Sequence, residues 1–217
     1  MKYKIITIKK MKQDIKKITP WFCLLLIVVA IFFILKDKNP NIDPPREAAI
    51  MFERGEKDKA TKILEKYSKN NPNNINVKNE LAKMYFQSAD YEKFIQFVEE
   101  NKLSTAYIYS MLASACQITG KLEKSEEYYN KAIKANPVNA KQYINFSAYY
   151  QSVGATQKAL DILEKGLKSG AKGVALLVTA ASVSIKLDNT EKAEFFLKEA
   201  QSIDPKNAQV QTMLNRI

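Results

Sequence analysis

Between Ala106 and Asn207 the chain repeats its own pattern every 34 residues, three times over and without a gap. Take Ala106, Ala140 and Val174 as starting points. The seventh and eighth residues are then Leu112 and Ala113, Phe146 and Ser147, and Ala180 and Ala181. The eleventh are Cys116, Tyr150 and Ser184. Nineteen, twenty-three and twenty-six steps on come Ser125, Tyr129 and Ala132, then Ala159, Leu163 and Gly166, then Ala193, Leu197 and Ala200. Pro137 and Pro205 close the outer copies, Ala171 stands where the middle copy would have its proline, and Gly120 and Gly154 fall between the halves of their units. A repeat of this length makes each unit one supersecondary motif and the whole an array of them.

The spacing carries its own physics. Small residues eight and twenty into the unit let two helices approach closely, and large apolar ones at four, seven, eleven and twenty-four fill the gap to the next unit. One such hairpin cannot bury its own apolar face, so at least about three must stack. The pattern resembles the tetratricopeptide repeat, a helix–turn–helix unit of this period. The resemblance implies an all-α, right-handed helical-hairpin solenoid of about five repeats, with a C-terminal cap helix.

The register extends in both directions. Ala48, Met51, Gly55, Ala60, Leu64, Tyr67 and Pro72 fit a repeat over 41–74, its first helix shortened by Pro44 and Pro45, with Asp43 as its N-cap. The unit over 75–105 reads Leu81, Ala82, Tyr85, Ala89, Tyr91, Phe94 and Val98. It is three residues short, has Phe94 where a small residue is usual, and lacks the closing proline, so it is the least regular of the five. Repeats over 106–139, 140–173 and 174–207 follow, and 208–217 reads as the cap, with Val210, Met213, Leu214 and Ile217 on one face.

Ile18 to Leu35 (ITPWFCLLLIVVAIFFIL) is free of charge. As a helix rising 1.5 Å per residue it would be ~27 Å long, close to the hydrocarbon thickness of a bilayer. Trp21 lies near its start, at an interfacial level. No small-residue cleavage site follows, because Phe32, Phe33, Ile34 and Leu35 run straight into Lys36, so an uncleaved anchor is expected rather than a signal peptide. Of the formal charge of +11, the first twenty residues hold seven lysines against Asp14. Positive-inside bias therefore places a basic tail (1–17) in the cytoplasm. One transmembrane helix (18–35) would span the inner membrane, and a linker (36–43) would lead to a periplasmic repeat domain. The charge speaks of topology, and no nucleic-acid partner is expected.

Histidine is absent, and Cys23 and Cys116 are too few for a disulfide framework or a metal centre. No convergent set of titratable residues points to catalysis, so no enzyme activity, cofactor or metal is expected. Partners should be proteins or peptides, with the lipid bilayer engaged only through 18–35.

In arrays of the resembled family the first helix of each unit lines the concave surface, where peptides commonly bind. The matching positions here are Asn79, Lys83 and Phe86 in the second unit, then Tyr107, Ser110, Ser114 and Gln117 in the third. Lys141, Ile144, Asn145 and Gln151 follow in the fourth. Ala175, Val178, Ser182 and Ile185 are those of the fifth, where Val178 and Ile185 read equally as core beneath the cap or as ligand contacts. One subgroup of the family grips a C-terminal carboxylate with lysines and asparagines. Lys141 matches that set, but Asn79 and Lys83 are interchanged and Met111 replaces an asparagine. Tyr129 and Tyr150 fall at packing positions. The functional expectation is a membrane-anchored scaffold or adaptor for assembly, secretion or biogenesis of a cell-envelope complex. The alternative is a permanent structural subunit of a membrane machine, such as a secretion, pilus or motility apparatus.

Overall fold

The structure, a computed structural model, describes residues 43–217. The expected basic tail, the transmembrane helix at 18–35 and all of the linker before Asp43 lie outside the described residues. Among the described residues there are eleven helices and no strand, and no helix is long and apolar enough to cross a membrane. Ten of them form five successive hairpins. These are α1 (Pro44–Glu53) with α2 (Lys57–Asn70), α3 (Ile75–Gln87) with α4 (Tyr91–Asn101), and α5 (Ala106–Ile118) with α6 (Leu122–Ala135). Then come α7 (Ala140–Ser152) with α8 (Thr156–Lys168) and α9 (Val174–Lys186) with α10 (Thr190–Ile203), before the single C-terminal helix α11 (Ala208–Leu214).

Two kinds of signal set the helix ends. Within every hairpin the second residue after the first helix has positive φ: Gly55, Ala89, Gly120, Gly154 and Asp188. Glycine takes this conformation without steric cost, whereas Ala89 and Asp188 hold it against a Cβ clash. Between hairpins, Asn74, Thr105, Asn139 and Asn207 cap the following helix, each side-chain oxygen accepting a backbone N–H at 3.1–3.2 Å. Asp43 stands at the N-cap of α1, but its side chain makes no capping bond; its backbone carbonyl accepts from Arg46 and Glu47 instead.

Small residues bring the two helices of a hairpin together. Ala48 faces Ala60, Ala113 faces Ser125, Ser147 faces Ala159 and Ala181 faces Ala193, all fully buried. Ser125 turns its hydroxyl onto the Ala113 carbonyl at 2.8 Å, which satisfies it inside the contact. In the second hairpin Phe94 fills the place of the small residue, fully buried, with its ring edge-on to Phe86 at 5.4 Å. Helices α3 and α4 consequently approach each other less closely than the helices of the other hairpins.

The core is continuous along the stack but divides into two bodies that meet at α5. One runs from Ala48 to Cys116 and the other from Ala113 to Val210, with Tyr128 packed against both. An aromatic stack, Tyr129–Phe146–Tyr150, with centroids 5.0 and 4.6 Å apart, ties the third unit to the fourth. Tyr129 and Tyr150 are thus core residues, as their repeat positions imply. At the far end α11 lays Val210, fully buried, against α10, with Met213 and Leu214 half-buried beside it.

Candidate functional site

The first helices α3, α5 and α7 lie along one side of the stack, and a cleft of about 440 Å³ opens between them. Phe86 at the end of α3 forms one boundary. Tyr107, Ser110 and Ser114 line it from α5, and Lys141 and Asn145 from α7. Six of the ten groove residues read from sequence therefore share one cavity.

The other four stand apart. Gln117 donates to Ser152 Oγ at 2.9 Å, and Gln151 accepts from Lys186 Nζ at 2.7 Å, so both link one repeat to the next. Lys83 meets Glu80 on its own helix at 3.5 Å. Asn79 is half-buried, and its Oδ1 is shielded from solvent with no hydrogen-bond partner among the described residues. In the fifth unit the open choice splits: Val178 is buried, while Ile185 stays exposed.

Sequence position missed part of the lining. Thr105 and Asn139 join the cavity as caps, Asn136 from the turn between α6 and α7, and Gln142 from the first turn of α7. The recoverable signal was the recurring turn Asn-Pro-x-Asn at 71–74 and 136–139, echoed as Asp-Pro-Lys-Asn at 204–207. Its last asparagine caps the helix that follows, and Asn139 in that role borders the cleft. Met111 is buried in the cavity floor. Without the asparagine there, the carboxylate-gripping set is incomplete.

The chemistry of the lining is that of hydrogen bonding around one cation. Among the described residues no carboxylate contributes to it, and Lys141 has no acidic partner. Ser110 and Ser114 bond back to the carbonyls of Ala106 and Ser110 at 3.1 Å, which fixes their rotamers but leaves lone pairs toward the cleft. The buried Gln142 amide, oriented with its nitrogen on the carbonyls of Ala132 (2.8 Å) and Asn136 (3.1 Å), locks the turn against α6. Behind α5, burial pushes the Tyr129 hydroxyl pKa upward, so it stays protonated beside Ser114 Oγ, 3.3 Å away. Tyr107, 58 % exposed at the rim, offers a stiff aromatic surface with a polar tip. Such a cavity can hold an extended peptide by its backbone and an acidic group by Lys141. Burial likewise raises the pKa of the Cys116 thiol, which is wholly enclosed and has no access to a substrate.

Family models described as tetratricopeptide repeat match residues 106–139 and 152–217. The chain carries tetratricopeptide repeats. A Bacillus subtilis (strain 168) protein, TPR repeat-containing protein YpiA, is 22% identical over 163 residues, covering 58% of this chain and 38% of that protein. The chain thus spans well under half the length of that relative. Among solved structures, MamA superposes with a TM-score of 0.63 at 21% identity, over 77% of this chain and 98% of that one. YrrB, described as a tetratricopeptide-repeat protein with an unusual peptide-binding site, superposes with a TM-score of 0.56 at 15% identity, over 84% and 95% of the two chains. At these identities the likeness is one of fold, and it extends over the tetratricopeptide array as a whole.

Proposed function

We propose that this chain is a membrane-anchored protein-interaction scaffold whose repeat array holds a peptide segment of its partner in the cleft between α3, α5 and α7. The observation that carries the reading is the cleft itself. Hydrogen-bonding side chains and a rim tyrosine surround a lysine that no carboxylate among the described residues neutralises. The fold likeness to YrrB supports peptide binding on such an array. Residues 18–35 would cross the inner membrane once, with residues 1–17 in the cytoplasm and the repeats on the far side. In that place the scaffold would serve assembly, secretion or biogenesis of a cell-envelope complex.

The test uses the full-length chain in its membrane. A Tyr107→Ala, Lys141→Glu variant changes only exposed side chains, so its helical content and melting temperature should match the parent, within about ±0.5 kcal/mol per substitution. Affinity capture from detergent-solubilised membranes should then lose the partners that the parent retains. Equal capture by the folded variant would remove the cleft as the site. Capture that resists mild detergent and high salt in parent and variant alike would point to a permanently built-in subunit. External protease applied to spheroplasts reports the topology: digestion of the repeats is expected, and their full protection would invert the orientation.

A further inference from the structure

The described repeats carry their charge unevenly. From Tyr128 to Leu187 there are eight lysines and two acidic residues, Asp161 and Glu164. The described stretches on either side, 43–127 and 188–217, together hold 17 basic against 19 acidic residues. Both acids of the central stretch are already engaged: Asp161 accepts from Gln157 at 2.8 Å and Glu164 from Lys192 at 2.6 Å. Of its lysines, Lys131 pairs with Glu127 and Lys186 with the Gln151 amide. The remaining six have no carboxylate partner among the described residues.

Two of those six line the same recess. Lys134 from α6 and Lys165 from α8 line a second cleft, of about 490 Å³, whose apolar walls are Ile133, Pro137 and Tyr143. Again no carboxylate among the described residues contributes to the lining. A cation in the last turn of a helix offsets the macrodipole. Yet the second helices α4 and α10 end without one, so the fold does not require these lysines. Position adds to charge. The first cleft is bounded by Asn136 and Asn139, the second by Pro137, so a single turn separates the two. Val138, 59 % exposed, crowns that turn, and the Tyr143 hydroxyl braces it from below on the Pro137 carbonyl at 2.9 Å.

We propose that this second cleft docks an acidic side chain of the same peptide segment that lies in the first-helix cleft, the segment crossing the Asn136–Asn139 turn over Val138. Like-signed charge in a walled recess focuses potential on an incoming anion. Two lysines in one recess with an apolar wall suit a glutamate flanked by an apolar residue. The inference rests on the peptide reading of the first cleft and extends it to the partner's chemistry and path.

The full-length chain in neutral detergent would be titrated with a labelled peptide of alternating Glu and Leu, about twelve residues and so about 40 Å extended. Binding would be followed by fluorescence anisotropy at ionic strength near 0.15 M. Lys134→Glu with Lys165→Glu should weaken binding at least about tenfold, and Lys134→Arg with Lys165→Arg should hold it within about twofold. Lys66→Glu with Lys69→Glu makes the same change in net charge on α2 and should leave binding unchanged. The proposal is overturned if this control loses as much as the cleft pair, if the cleft pair binds like the parent, or if the parent does not bind. When the cleft pair binds like the parent, Tyr107→Ala with Lys141→Glu separates the readings. Loss there keeps the first cleft as the site, and no loss removes both. Should the cleft pair lose only phosphatidylglycerol vesicles and keep the peptide, this face is a membrane contact and the proposal falls. Circular dichroism on every variant verifies the fold.

Discussion

Gly166 sits inside α8, where glycine is normally a defect of about 1 kcal/mol relative to alanine. Here it is required. A Cβ at this position would stand 2.6 Å from the Tyr143 ring, which is itself fully buried and anchored through its hydroxyl. Overpacking costs about 1–3 kcal/mol, so the clash outweighs the gain in helix propensity. Gly166→Ala should therefore destabilise the array by up to about 2 kcal/mol, read from the thermal midpoint. Changing Tyr143 to Leu beforehand should erase most of that difference, since the coupling is between these two side chains. Ala89 is the opposite case. It is exposed, at φ 61°, in the turn position that three other hairpins give to glycine. Ala89→Gly should stabilise by about 0.5–1 kcal/mol, the relief of the left-handed strain less the added freedom of the unfolded chain. No change in midpoint would mean that the turn holds no strain.

At the scale of the element, the second helices are joined by a ladder of charges. Lys93 meets Glu65, Lys124 meets Glu99 and Lys192 meets Glu164, at 2.7, 3.2 and 2.6 Å, each across a repeat boundary. Lys158 occupies the same place in the fourth unit, but its partner position holds Asn130, and the ammonium lies over the Tyr150 ring at 5.6 Å. Asn130→Glu should complete the ladder. At this exposure one rung is worth about 0.2–1 kcal/mol at low salt, and the gain should vanish in concentrated salt. A gain that survives high salt would exclude the ion pair as its cause. For Glu65 and Glu99 burial acts to raise the pKa, but hydrogen bonds from lysine and tyrosine outweigh it and the pKa falls. The unfolded value is near 4.5. A depressed carboxylate stabilises above its unfolded pKa and loses that contribution as pH falls through the folded one. The thermal midpoint should thus decline in acid below about pH 4.5, and Glu65→Gln should flatten that decline.

For the whole molecule, stability is shared between neighbours, because each hairpin buries its apolar faces on the units beside it. An array of this kind is weakest at an uncovered end. Helix α11 has 7 residues, too few to be stable alone, yet it supplies the fully buried Val210. Removing 208–217 should lower stability by about 2 kcal/mol, the worth of one fully buried aliphatic side chain. An unchanged midpoint would show that α10 needs no cover. The meeting of the two core bodies at α5 places the first cleft at their junction, with Phe86 on one side and Lys141 on the other.

Repeat architecture was legible in the chain because a 34-residue period writes the same contact three times, so Ala113, Ser147 and Ala181 identify one another as helix contacts. The turn glycines were legible for the same reason. Ala89 and Asp188 share that register position, which marks their turn, but alanine has no preference for the left-handed backbone it adopts there. Phase on the first helix put Phe86, Tyr107, Ser110, Ser114, Lys141 and Asn145 on one side of the array, and these six line one cavity. Phase could not tell that Gln117 and Gln151 are spent on neighbouring repeats, nor that Val178 is buried while Ile185 is not. Those outcomes depend on which side chain of the next unit arrives opposite. Nor could spacing alone show that Asn136 and Asn139 border one cleft while Lys134 and Lys165 line another. Periodicity determines what each unit is, because one unit's contacts are local in sequence; the clefts belong to pairs of units, and only their stacking decided them.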